Sequence, residues 1–250
     1  MYFNDVHILI YIIFFMIGAI IGQLLDWVNK RIINKKRIFS KDIIEEYKNK
    51  ININYRIALL NAILYIVVLF RLGIKQEFLE NLELIKYSLL IPILISIIQI
   101  DYKEKIIPNR LTLTIFESGI IFAFLYSLNN LFVARDYFLG MIVGAVIFGI
   151  IALLGRLIAG KEAMGMGDIK LMAALGLYFG IALTISISII SFVIAAIASV
   201  IMMATKKKKN NEYITFGPCI GLAAILCIII PEKLIISVLL TIFTLGRYRV

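Results

Sequence analysis

Apolar residues run along this chain in long blocks, and the charges collect in the short gaps between them. The blocks predict helices over 7–28, 56–72, 84–101, 111–128, 137–159, 168–180, 181–204 and 213–230, with a shorter last one over 234–246. Several reach or approach the ~20 residues that a helix needs to cross about 30 Å of hydrocarbon. The sixth is short, and "GLYFG" at 176–180 breaks it from the seventh, so one of the two is expected to be tilted or only partly spanning. The pattern predicts the all-α class: a polytopic transmembrane helical bundle of about eight spanning helices plus a short C-terminal one. The organisation expected is a first helix with a basic loop, 1–55, ahead of a helical core, 56–250.

Composition removes the rival of a buried soluble core. Of 250 residues 62% are apolar, against roughly 45–50% in a soluble domain, and the mean hydropathy is +0.97. Residues 7–28 have no basic stretch before them and no A-x-A site after them, so they read as a retained helix rather than a signal peptide. The one sizeable polar piece, 29–55, reads either as a solvated, partly ordered loop or as holding an amphipathic interfacial helix around 38–48. No internal repeat and no Pro- or Ser-rich linker divides the rest.

Charge then orients the bundle, because Lys and Arg in short loops stay on the cytoplasmic side. With the N-terminus outside, 21 basic residues fall on the inner face and five on the outer (Arg71, Lys75, Lys86, Arg135, Lys233). The net charge of +10 is therefore mostly a topology signal. It suits anionic headgroups, so the expected partner is the lipid bilayer, and nucleic-acid binding is not needed to explain it. In this threading Asp101 ends the third helix and Asp168 begins the sixth, both at the cytoplasmic interface.

Little else carries chemistry. Cys219 and Cys227 share one apolar stretch outside any C-x-x-C pattern and read as small buried hydrophobes. His7 stands alone and offers no metal site. Two inner-face segments hold more polar information than a loop requires. In "IDYKEKIIPNRLT", 100–112, Pro108 and Asn109 build a turn, the Asn offers an amide, and Thr112 stands where it can cap or brace the next helix. In "MGMGDIKLM", 164–172, Gly165 and Gly167 permit either positive φ or close approach of another backbone. Asp168 follows them, where helix amides favour a negative charge, and it reads either as an N-cap or as half of a catalytic pair. Lys170 stands ready to pair with a carboxylate or a headgroup. Two carboxylates a few ångströms apart share a proton. The ionised one draws a proton from water while the protonated one donates to a scissile carbonyl. No metal and no nucleophilic side chain is required.

"D…IPNRLT" (Asp101, Pro108, Asn109), "GMGDIKLMAALG" (Gly165 to Gly176) and "ITFGPCIGLAA" (Ile214 to Ala224), in that order on this hydropathy, resemble the type IV prepilin peptidases. These are membrane aspartyl proteases of the G-x-G-D type, and the similarity covers most of 85–230. "GQLLDWVNKR", Gly22 to Arg31, is a looser version of the family's first-helix end. The resemblance implies that Asp101 and Asp168 form a catalytic dyad, that Gly165 and Gly167 shape the backbone beside it, and that Lys170 belongs to the motif. It implies a chain of the bacterial cytoplasmic membrane that cleaves a prepilin or pseudopilin at the cytoplasmic interface. Such a substrate carries a basic leader ending in glycine, then an apolar helix. Phe216 and Gly217 either line the site, or Gly217 with Pro218 only kinks the start of a helix. Ala173, Ala174 and Gly176 read as packing residues.

Departures from the family pattern matter as much. Many members carry two C-x-x-C pairs that form a zinc site in the first cytoplasmic loop, and 29–55 has no cysteine, so no zinc is expected. The peptidase itself implies no cofactor. Methylation of the new N-terminus would need S-adenosylmethionine, for which no Gly-rich fingerprint stands in the sequence; the expectation leans towards retention of that activity. Asp26 replaces an expected asparagine; it reads either as a third interfacial carboxylate near the dyad, whose charge would raise the dyad's pKa values, or, as the favoured reading, as facing headgroups or pairing with Arg31, beside Trp27 as an interfacial anchor. The alternative to an endopeptidase is a transporter or channel whose aspartates line an ion path, which would set its carboxylates near the bilayer midplane; a scaffold is a third reading.

Overall fold

The computed structural model describes residues 2–3, 6–36, 54–75, 77–128, 130–160, 164–204 and 215–244. The region proposed for an interfacial helix, 38–48, lies outside them. A two-residue antiparallel pairing, β1 (Tyr2–Phe3) with β2 (Val6–His7), precedes eight helices among the described residues. These are α1 (Ile8–Ile33), α2 (Tyr55–Leu72), α3 (Phe78–Glu104), α4 (Asn109–Ser127), α5 (Leu131–Ala159), α6 (Met166–Ala204), α7 (Gly217–Ile229) and α8 (Glu232–Phe243). The fold is an all-α polytopic bundle. Six of the helices are long and apolar enough to cross a membrane, or seven spans if α7 and α8, bent by 116°, count as one. Helix α7 has 13 residues and α8 has 12, about 20 and 18 Å at ~1.5 Å per residue, too short to cross alone.

Helix α6 holds the other difference. Its 39 residues are interrupted at Gly180, whose φ of 77° and ψ of −179° are not helical. On α5, a Cβ at Gly144 would lie 2.5 Å from the Met172 carbonyl oxygen and 3.2 Å from Thr184 Cγ2. A straight helix would separate residues 172 and 184 by about 18 Å, so the chain doubles back at Gly180. The two predicted helices on either side of "GLYFG" are therefore two antiparallel limbs, 166–179 and 181–204, joined at Gly180. Gly140 and Gly176 allow this, each set against the other's carbonyl, which is how small residues let membrane helices approach. Gly176 is thereby a packing residue, as its sequence context suggests. Asp136 completes the turn: its carboxylate packs on Gly180 and accepts from the Ile181 N–H at 3.5 Å. Helix α5 therefore begins at 131 rather than 137, with Asn130 Oδ1 capping it by accepting from the Phe132 N–H at 3.0 Å.

The chain forms two compact units, Met1–Ser96 and Ile97–Val250, and α3 runs through the boundary. In the first unit α1 lies against α2 through Gly18 on Ala62 and Gly22 on Ala58, and Asn61 Nδ2 donates to the Gly18 carbonyl at 2.7 Å. His7 caps α1 by accepting from the Leu9 N–H at 3.3 Å. Asp26 pairs with Lys30 at 2.8 Å, and the Arg31 guanidinium lies over the Trp27 ring, 5.1 Å from its centroid. The i,i+4 spacing sets Asp26 and Lys30 on one helix face.

Candidate active site

Four helix ends of the second unit converge. Helix α3 stops because Lys105 takes a left-handed backbone, φ 56°, and returns its N–H to the Asp101 carbonyl at 2.9 Å. That closure leaves Asp101 in the last helical turn, its side chain buried at 4% exposure. Three residues on, Pro108 takes an extended conformation and starts α4, with its carbonyl accepting from the N–H groups of Leu111 and Thr112. The Thr112 hydroxyl also reaches that carbonyl, at 3.4 Å. Asp168 lies in the first turn of α6, its N–H bonded to the Gly165 carbonyl at 3.1 Å while the Gly165 amide faces its carboxylate. It is buried at 9% exposure, and its Oδ1 has no hydrogen-bond partner among the described residues.

Both carboxylates line one cavity of about 650 Å³ and lie near enough for their charges to interact. Gly165, Gly167, Lys170, Asn109 and Phe216 line it too. Pro108 and Gly217 are not among its lining residues. The Gly217 N–H donates to the Asp101 carboxylate, and a Cβ at that position would lie 2.5 Å from Asp101 Oδ2. A Cβ at Gly167 would meet the Ile107 Cβ at 3.1 Å, so close approach explains this glycine. At Gly165 the nearest atom to a Cβ would be Asp168 Oδ2 at 3.5 Å, an ordinary contact. Positive φ, the other option the sequence left for Gly165 and Gly167, is not used: the described glycines with positive φ are Gly73, Gly160 and Gly180.

Among the described residues Lys170 has no carboxylate partner. Its Nζ approaches Asn109 Oδ1 at 3.5 Å, so the two motifs touch through an amide. Phe216 both lines the cavity and joins an aromatic cluster, its ring centroid 5.8 Å from that of Phe148 and 5.0 Å from that of Phe192. Gly217 and Pro218 also open α7.

Sequence reasoning missed Cys219, Lys105 and Ile107. Cys219 is a free, buried thiol, as expected, yet its first-turn position in α7 brings it close enough to Asp101 and Asp168 to feel both charges. No sequence signal marks it, because apolar periodicity does not say which helix another will face. Among the described residues, no group of three or more His, Cys, Asp or Glu side chains stands close enough to hold a metal ion.

Comparison with known proteins gives a consistent result. The type IV leader peptidase family matches residues 88–200, which include Asp101 and Asp168 but not Phe216 or Gly217. Over 175 residues, 69% of this chain, it is 31% identical to a prepilin leader peptidase/N-methyltransferase of Xanthomonas campestris pv. campestris, covering 58% of that protein. It is 30% identical over 175 residues to one of Neisseria gonorrhoeae, covering 69% of this chain and 56% of the relative. With one of Aeromonas salmonicida it shares 29% identity over 167 residues, 67% of this chain and 54% of the relative. The matched part thus spans little more than half the length of these curated relatives. No solved structure matches the chain. Through residues 88–200, with both buried aspartates inside the match, the chain belongs to the type IV leader peptidase family.

Proposed function

We propose that this multi-pass membrane chain is an aspartyl endopeptidase that removes the leader peptide of a type IV prepilin or pseudopilin. The observation that carries the reading is the single cavity lined by Asp101 and Asp168, with Asp168 Oδ1 buried and lacking a partner. A buried carboxylate oxygen without a hydrogen bond is costly, and a water between the two aspartates would satisfy it. With one proton shared by the pair, the ionised carboxylate takes a proton from that water as it attacks the scissile carbonyl. The protonated carboxylate donates to the carbonyl oxygen. The tetrahedral intermediate then collapses: the carboxyl that took the water's proton passes it to the nitrogen as the C–N bond breaks, and the other carboxylate takes back the proton it gave to the carbonyl oxygen, so that the leader leaves as a carboxylic acid that ionises and the mature chain as an amine. Asp101 is steadied for this by the Gly217 N–H and Asp168 by its place at a helix N-terminus.

The dyad residues stand in the last turn of α3 and the first turn of α6. An ion path would set them near mid-membrane, so this placement favours the peptidase over a transporter or channel. The bacterial cytoplasmic membrane, an outside N-terminus and a cytoplasmic catalytic face are part of the same proposal, supported by the distribution of Lys and Arg.

N-methylation of the new terminus is proposed because the relatives are prepilin leader peptidase/N-methyltransferases. The cavity does not fit S-adenosylmethionine: its two carboxylates are those assigned to hydrolysis, and its other charged lining residues, Lys105 and Lys170, repel a sulfonium. No methyl-transfer step is derived through it. The mass of the mature N-terminus from cells expressing this enzyme alone tests that activity, and an unmethylated terminus removes it. The peptidase is tested by incubating the purified chain with a prepilin in detergent. Release of the leader supports the reading, and an intact prepilin contradicts it.

A further inference from the structure

A second cavity, of about 380 Å³, lies beside the first between α4 and the 166–179 limb of α6. Its walls are apolar, with Leu113 and Phe116 on α4 facing Ala173 and Ala174 on α6. Ala174 is buried while Leu113 is 54% exposed, so small side chains make the floor and bulky ones the rim. The Thr112 hydroxyl, also in the wall, is turned to the Pro108 carbonyl. The two cavities share Asn109 and Lys170. Polarity therefore changes across one side-chain pair, from carboxylates and lysines on one side to aliphatic and aromatic carbon on the other. From Asn109 to Phe116 helix α4 rises about 10 Å at ~1.5 Å per residue, room for roughly two turns of a docked helix.

We propose that this groove seats the apolar segment of the substrate immediately beyond the scissile bond, with Lys170 and Asn109 marking the crossing from cleaved to retained chain. The proposal rests on the endopeptidase reading. A substrate whose bond lies at Asp101 and Asp168 has to leave that cavity, and an apolar stretch leaving past Asn109 and Lys170 meets a surface of its own kind. The groove adjoins the reaction cavity across the shared Asn109 and Lys170, which singles it out from the other apolar surfaces of the helices. Apolar burial there would add affinity without touching the reacting atoms.

Photocrosslinking tests it. A Phe116→p-benzoylphenylalanine probe is placed in the full chain carrying Asp168→Asn, so that a prepilin remains uncut. A matching probe at Ile121 is the control: it is 58% exposed and lies about 140° around the same helix, at ~3.6 residues per turn. The expected result is a crosslink from position 116 to the apolar part of the prepilin and none from 121. Crosslinks from 116 to lipid or to a second copy alone, or equal prepilin crosslinks from both positions, overturn the groove. The chain with its dyad intact is assayed on the same prepilin. Cleavage without a crosslink from 116 defeats the groove alone, whereas no cleavage defeats the endopeptidase reading and the groove with it. As a second measurement, Ala173→Trp fills the groove and is expected to raise KM about tenfold with kcat within about twofold, the signature of lost uniform binding. An unchanged KM overturns the proposal.

Discussion

Replacing Gly217 with alanine probes the site at its tightest point. The added Cβ would lie 2.5 Å from Asp101 Oδ2, 3.0 Å from its Cγ and 3.2 Å from Ile107 Cδ1, whereas ordinary contact begins at 3.4 Å. Either the carboxylate or the start of α7 must give by about 0.9 Å, and the Gly217 N–H that holds Asp101 moves with it. A misplacement of about 1 Å costs on the order of 10²-fold in rate, equivalent to about 2.7 kcal/mol of transition-state stabilisation. The assay is the kcat for leader release by the purified chain in detergent, read beside its thermal midpoint. The groove lies on another face, so KM is expected to stay within about threefold. Gly149→Ala is the control, because nothing lies within 4 Å of a Cβ there, and it is expected to cleave normally. A Gly217→Ala enzyme with the wild-type kcat would refute the reasoning that the Gly217 amide positions Asp101.

Two further outcomes follow from the geometry. Gly180→Ala puts a side chain into a left-handed, glycine-only conformation and against the Asp136 carboxylate, a change worth about 1–3 kcal/mol from the backbone alone; a thermal midpoint in detergent equal to that of the native chain would contradict the chain reversal described for α6. Cleavage by a pair that shares one proton has a bell-shaped pH profile. It is lost at low pH as the base gains a proton and at high pH as the acid loses one, and a profile with a single rising limb that never falls would argue against two carboxyl groups acting together.

The helices were legible because lipid-spanning segments must be apolar along their length, and the apolar blocks needed no knowledge of their neighbours. Their ends were less legible. Arg135 and Asp136 look like a loop by charge, yet they lie inside α5, because Asp136 is used to cap the second limb of α6. "GLYFG" announced a break but not a reversal, which depends on Gly140 and Gly144 of α5 meeting both limbs. At the site, Asp101, Asp168, Asn109 and Lys170 stood out as polar groups in apolar surroundings. Gly217 and Cys219 carry no such mark. What sets them beside Asp101 is the packing of α7 against the end of α3, a relation between distant segments that spacing within either one does not encode.

The central claim is that Asp101 and Asp168 act as one hydrolytic unit, and the most direct measurement is leader release by the Asp101→Asn, Asp168→Asn and doubly substituted chains, each shown to insert and to keep its thermal midpoint. Groups that act as a unit are strongly non-additive. Each single substitution is therefore expected to reduce cleavage to background, with no further loss in the double. Near wild-type cleavage by either single variant would contradict the account.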